Sequence, residues 1–288
     1  MRHPMKWENE EQPTGVFLGG PEAESLDLMR MPAAVRRLDR LSLPGTTPGL
    51  ADAARTLMAV RAALDGFTVD SSPALFPLSG LDEAAVALLD DALGEGEVGI
   101  VVSGASEYQI QESVLPGVWR VKTFALAGGP AGALAGDHIE VADVPGVVRA
   151  AALGGTRAQL EIGDPPEGCM NVMPVLAELR ARTAAYVQGD RNHVISFTLF
   201  PMNETDMAFL KLTLGMGPVQ AVSRGYGTCR VTLTGQRHVW SVQYLNAMDT
   251  VILDTMEIGD VPVALSAADE DFQDSAERLG EILEAYFQ

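Results

Sequence analysis

The chain has 288 residues, 47% hydrophobic and 20% charged, with a formal net charge of −19. That composition supports packed cores in about two domains of ordinary size. The acidity argues against nucleic-acid phosphate or anionic lipid as the main partner and leaves a basic peptide or protein surface open.

Residues 1–49 form an N-terminal extension, interrupted by Pro13, Gly15, Gly19, Gly20, Pro21, Pro44 and Gly45. A first α+β unit is expected over 50–160. It opens with a helix at 50–67, in which Leu57, Val60 and Leu64 recur at helical spacing. A short extended piece, Ala74-Leu75-Phe76-Pro77, leads to a helix at 81–93 that Ser79 or Asp82 can cap. The β-branched run at 97–103, the alternating run at 108–114 and the run at 118–126 then read as an antiparallel meander, with Pro116-Gly117 as a tight turn. A small-residue loop, 127–136, precedes a strand at 137–141 and the closure Asp143-Val144-Pro145.

A second unit, 161–288, runs in the same order. Helices are expected at 172–187 and 206–214, with a strand at 193–200 between them. Strands follow at 219–223, 228–233, 239–245 and 250–258, and a terminal helix at 267–287. The sequence itself repeats. Val239-Trp240-Ser241-Val242 echoes Val118-Trp119-Arg120-Val121, and Asp260-Val261-Pro262 echoes Asp143-Val144-Pro145. Leu199-Phe200-Pro201 echoes Leu75-Phe76-Pro77, and Gly215-Met216-Gly217 echoes Gly94-Glu95-Gly96. The fold class is therefore α+β: two tandem copies of a helix–strand–helix plus β-meander unit, with an N-terminal extension and a C-terminal helix.

Signatures of catalysis and of nucleotide or metal binding do not occur: there is no phosphate loop, nucleophile elbow, His-Glu-x-x-His or Cys-x-x-Cys. His3, His138, His193 and His238 are dispersed, and no cofactor or metal is expected. Asp143 and Asp260 are read as turn residues, because an aspartate can bond its own backbone there. Cys169 and Cys229 are too few for a disulfide framework and read as free thiols of a reducing cytosol. No apolar run reaches the roughly 20 residues of a membrane helix, and MRHPMKWENEEQ lacks a signal-peptide core, so a cytoplasmic protein without membrane insertion is expected.

The segment Glu112-Ser113-Val114-Leu115-Pro116-Gly117-Val118-Trp119-Arg120-Val121, with Gly94-Glu95-Gly96-Glu97-Val98 before it, resembles the HupH/HyaF hydrogenase expression proteins. So does the stretch from Asn246-Ala247-Met248-Asp249-Thr250 through Glu257 and Val261-Pro262 to Asp269-Glu270-Asp271, so the likeness runs from about Leu75 to the end. The resemblance implies a non-catalytic accessory protein in the maturation of uptake [NiFe] hydrogenases. It implies a chaperone toward a hydrogenase subunit precursor, the iron–sulfur small subunit favoured, alongside a thioredoxin-like accessory protein. The family supplies no catalytic residues to carry over. The expected contacts are Gln111, Glu112, Ser113, Trp119, Asn246, Met248 and Asp249, on the two meanders around a cleft between the units. The competing expectation is a metal or iron–sulfur cluster carrier, or a small enzyme, using Cys169 and Cys229 with a histidine.

Overall fold

The computed structural model describes residues 49–126, 132–197, 200–225 and 227–286. The N-terminal extension up to residue 48, the start of the glycine–alanine loop (127–131) and Leu199 of the repeated Leu-Phe-Pro lie outside the described residues.

In the first half, α1 (Leu50–Leu64) turns Ala53, Leu57, Val60 and Leu64 inward at three- and four-residue spacing. After β1 (Ala74–Pro77) comes α2 (Glu83–Leu93), whose first turn is capped by Asp82: its carboxylate accepts from the Ala85 N–H at 2.7 Å. Then β2 (Val98–Val102), β3 (Ser106–Glu112), β4 (Val118–Ala125) and β5 (Ala133–Val141) form the meander. The helix α3 (Gly146–Gly154) follows Pro145. The second half contains α4 (Val172–Ala185), β6 (His193–Ser196), α5 (Glu204–Leu214), β7 (Met216–Ser223), β8 (Thr228–Thr234), β9 (Val239–Leu245) and β10 (Val251–Ile258). A 3₁₀ turn (Val263–Leu265) and α6 (Asp269–Tyr286) end it.

Two sequence expectations change. The reading places no element between Pro145 and Val172, yet α3 stands there; its run of valines and alanines between glycines is too short to show a stripe. The strand at 193–200 stops at Ser196, so Phe200 and Pro201 fall after it. Ladder partners give the true correspondence: Pro77 opposes His138 and Ser196 opposes Thr255, so Ser196, not Pro201, occupies the place of Pro77.

All ten strands form one sheet in the order β1-β5-β4-β3-β2-β7-β8-β9-β10-β6. Between β2 and β7, where a cleft between units was expected, there is an antiparallel ladder, with Ile100 opposite Ala221. Across this seam the register aligns Val121, Ile110, Ile100, Ala221, Val231 and Val242 in one row on one face. Each is at most 1% exposed. α3 packs on this seam against β2 and β7, and Gly155 lets Pro218 approach, since a Cβ there would sit 2.7 Å from its Cγ.

The sheet is strongly curled. Arg149 of α3 donates two hydrogen bonds, both 2.8 Å, to Asp143 just after β5, and also lies 3.5 Å from Asp260 just after β10. In a flat sheet, seven strand spacings of about 4.8 Å would put β5 and β10 about 34 Å apart. Only a sheet wrapped around α3 brings both aspartates to one guanidinium.

Two apolar clusters result. The larger joins both halves and holds Trp119, Trp240, Leu57, Leu89 and Phe272; the smaller, under α4 and α5, holds Val175, Leu176, Leu210, Met256 and Ile258. Asp206, fully buried, ties α4 to α5: its carboxylate accepts from the N–H groups of Met170, Asn171, Val172 and Asn203. Burial raises its pKa, but these four donors outweigh burial and hold it below the usual value.

Removing the guanidinium with Arg149→Ala strands the 6%-exposed Asp143 carboxylate, and urea denaturation should show a loss of about 2–4 kcal/mol. Asp260→Asn, at the longer and more exposed limb, should cost less than about 1 kcal/mol in the same measurement.

Candidate partner-binding surface

Of the expected contact residues of the first half, Glu112, Ser113 and Trp119 are buried and Gln111 is half-buried. Gln111 spends its amide on the fold: Nε2 donates to the carbonyls of Gly96, Val98 and Glu112 at 3.1–3.2 Å. Ser113 Oγ accepts from the Leu115 N–H at 3.1 Å and donates to the Leu115 carbonyl at 3.0 Å, bracing the β3–β4 turn. Trp119 is wholly buried, and its Nε1 donates to the Ala142 carbonyl at 2.8 Å.

Glu112 is 8% exposed and faces no cation within salt-bridge range among the described residues. Burial pushes its carboxyl up to about 7; the backbone of Val98 and Glu97 draws it back, while the charges of Glu97 and Asp271 push it further up.

The β8–β9 turn repeats this local design with other side chains. Thr234 braces it from the place of Ser113, accepting from the Gln236 N–H at 3.2 Å and turning its one hydroxyl proton to the carbonyls of Val239 (2.9 Å) and Gln236 (3.2 Å). Gly117 (φ 81°) and His238 (φ 63°), each just before a strand start, both take the left-handed conformation. The chemistry differs. Gln236 is fully buried where Leu115 stands in the first turn, and neither polar atom of its amide has a partner among the described residues. Trp240 Nε1 also lacks a partner, while the Gly259 carbonyl, placed like that of Ala142, lies 3.3 Å from His238 Nδ1. The Tyr186 ring lies over His238, with centroids 4.6 Å apart.

The second-half residues lie on the surface. Asn246 Oδ1 accepts from the N–H groups of Met248 (2.9 Å) and Thr250 (3.0 Å), and Asp249 has φ 56°, closing the β9–β10 hairpin. This leaves Met248 81% exposed. The structure does not bring the seven residues together, because β2, β7 and β8 separate the β3–β4 pair from the β9–β10 pair. Sequence reasoning missed the apolar surface beside the tip, where Tyr244, Val251, Ile252 and Leu253 are exposed. Three consecutive apolar residues, Val251-Ile252-Leu253, were the available signal.

The histidines and thiols are scattered. His193 Nε2 meets Glu178 Oε1 at 2.7 Å, and His138 Nε2 lies 3.5 Å from Glu140. Cys229 belongs to the larger cluster and Cys169 borders the smaller one; both are free thiols. Burial, opposed by a hydrogen bond with Tyr244 and helped by the charge of Glu257, pushes the Cys229 thiol up to about 11. No group of three or more metal-ligating side chains occurs among the described residues. No helix described is long and apolar enough to cross a membrane.

The described residues form a curled antiparallel sheet with helices and carry an exposed apolar hairpin tip. Comparison with known proteins gives the family. The model for the C-terminal conserved region of the HupH hydrogenase expression protein matches twice, over residues 52–158 and 169–286. The chain is 44% identical over 283 residues to the hydrogenase expression/formation protein HupH of Rhizobium leguminosarum bv. viciae, covering 94% of this chain and 99% of that protein. It is 41% identical over 268 residues to the hydrogenase expression/formation protein HoxQ of Azotobacter vinelandii, covering 92% and 93%. Among solved structures, the HupH protein of Thiobacillus denitrificans matches with 22% identity and a TM-score of 0.36, over 41% of this chain and 97% of that one. The chain belongs to the HupH family of hydrogenase expression proteins.

Glu112 makes stability depend on pH. Its folded pKa of about 7 exceeds the ordinary 4.5, so the folded state keeps a proton the unfolded chain gives up. The stabilisation is complete below about 4.5 and lost as pH rises through 7. Thermal and urea unfolding at pH 5 and pH 8 should show Glu112→Gln gaining up to about 3 kcal/mol over the parent chain at the higher pH, and little at the lower.

Proposed function

We propose that this chain is a non-catalytic accessory protein in the maturation of an uptake [NiFe] hydrogenase, holding an immature subunit, with the iron–sulfur small subunit favoured, before assembly and export. The observation that carries the reading is the end-to-end likeness to proteins named for hydrogenase expression and formation. The acidic surface suits a basic precursor, since opposite potentials speed encounter and select partners. A thioredoxin-like accessory protein is the expected companion, and the cytoplasm the expected compartment.

The reading as a metal carrier or small enzyme is weaker on this chain's own chemistry. The thiols border separate clusters, and a Cys229 thiol at about 11 stays protonated at neutral pH, making it a poor nucleophile and ligand.

We further read residues 50–160 and 161–288 as two copies of one unit. Supporting this are the double match of one family model, the matched element order, and the two braced turns with left-handed residues at corresponding places. The extension, 1–49, stands outside the repeat. Of the seven contact residues proposed, the four of the first half would act by holding the sheet and Asn246, Met248 and Asp249 by touching the client.

The test is co-purification of the tagged full-length chain with each hydrogenase subunit precursor at low and high salt. A precursor retained at low salt and weakened by salt is expected. Failure to retain any precursor, with hydrogenase activity intact in a strain lacking the gene, would sink the reading.

A further inference from the structure

We propose that the outer edge of the β9–β10 hairpin is the docking surface for an extended polypeptide segment of the client, apolar at alternate positions and flanked by lysine or arginine. This rests on the accessory-protein reading for the identity of the client; the chemistry of the segment comes from the surface itself.

Three observations converge on this edge. The first is backbone. β6 covers β10 only from Thr255 to Ile258, and the Phe197 N–H then takes the Asp254 carbonyl at 3.1 Å. Past that bond, residues 198 and 199 lie outside the described residues, and none of the described residues pairs the outer side of 251–253. The register shift between Val251 and Leu253 swings the edge at Ile252, and that side chain is 65% exposed.

The second is apolar area. Val251, Leu253 and Tyr244 are each 37–41% exposed beside Ile252, Met248 projects from the tip at 81%, and Val194 on β6 adds 52%. Met248 can re-pack around varied side chains. Natural sheets blunt such an edge with charge or proline. None stands in Val251-Ile252-Leu253.

The third is charge, which selects the occupant. Asp249 stands exposed just before the apolar run and Asp254, half-buried and accepting from Gln243 at 3.0 Å with the charge of Lys211 nearby, just after it, on a chain of net charge −19. A second copy would bring the same acidity to the same edge and be repelled, whereas a segment with terminal lysines or arginines would be drawn in.

The probe is a fluorescent peptide of alternating valine and threonine flanked by lysine pairs, titrated with the full-length chain and followed by anisotropy. Its counterpart carries glutamate pairs. The lysine peptide should bind at least about tenfold tighter than the glutamate peptide at low salt, with the gap closing as salt rises. Ile252→Lys, and separately Met248→Lys, should each weaken binding about tenfold or more, with thermal unfolding confirming the fold. The proposal is overturned if the lysine peptide does not bind, if both peptides bind alike, or if folded Ile252→Lys binds as the parent does. A dimer in sedimentation that Ile252→Lys dissolves would also overturn it, by giving the edge to a second copy. The two readings can fail separately. Precursor retained equally by the parent and Ile252→Lys chains removes this surface and leaves the accessory role. Peptide binding without retention of any precursor removes the role and leaves the surface.

Discussion

The curl of the sheet is the constraint on which the rest depends, and Arg149 is where it is locked. A ten-stranded antiparallel sheet has two wide faces to cover, and this chain covers one by bending it around α3. Bending brings the segments after β5 and β10 to one guanidinium, which Asp143 holds by two hydrogen bonds and Asp260 approaches from the other half. It also explains why the larger cluster contains both tryptophans, Trp119 and Trp240, from strands far apart in the sheet order. The row of apolar residues through the seam, from Val121 to Val242, gives the concave face no polar interruption.

The halves share a frame and differ in what fills it. At the first turn Leu115 and Gly117 pack tightly: a Cβ on Gly117 would meet the Phe272 ring of α6. At the second, Gln236 and His238 occupy those places, with buried amide atoms that none of the described residues partners and a histidine in a backbone region that side chains normally avoid. Such local costs persist where the surroundings over-determine them, which is common at working surfaces. Asp206 is another feature of the second half alone: Ala85 sits at the same place in α2, so α1 and α2 have no such carboxylate between them.

Much of the fold was legible in the sequence because its signals are local. The stripe of α1, the capping residue Asp82 and the alternation of the meander strands each act within a few residues. What escaped depends on distant partners. α3 is helical because the seam needs a cover of small side chains, and nothing in its own nine residues announces that. The true partner of Pro77 is fixed by ladder register, which the Leu-Phe-Pro echo masks. Where the expected contact residues lie follows from the same distinction. A motif such as Gln111-Glu112-Ser113 says that a place is particular, not whether it faces inward, and here its hydrogen bonds are internal. Met248 is exposed because Asn246 and Asp249 make a tight hairpin, a local effect that the sequence does carry.

The ladder between β2 and β7 has a consequence for the life of the molecule. Separate the chain between α3 and α4 and each piece keeps a meander, but each also gains a bare five- to eight-residue edge ending an apolar row. An edge of that kind seeks another strand, and the complementary one is the matching edge of the other piece, Val98–Val102 against Val219–Ser223. Joining the two into one polypeptide fixes that pairing at high effective concentration.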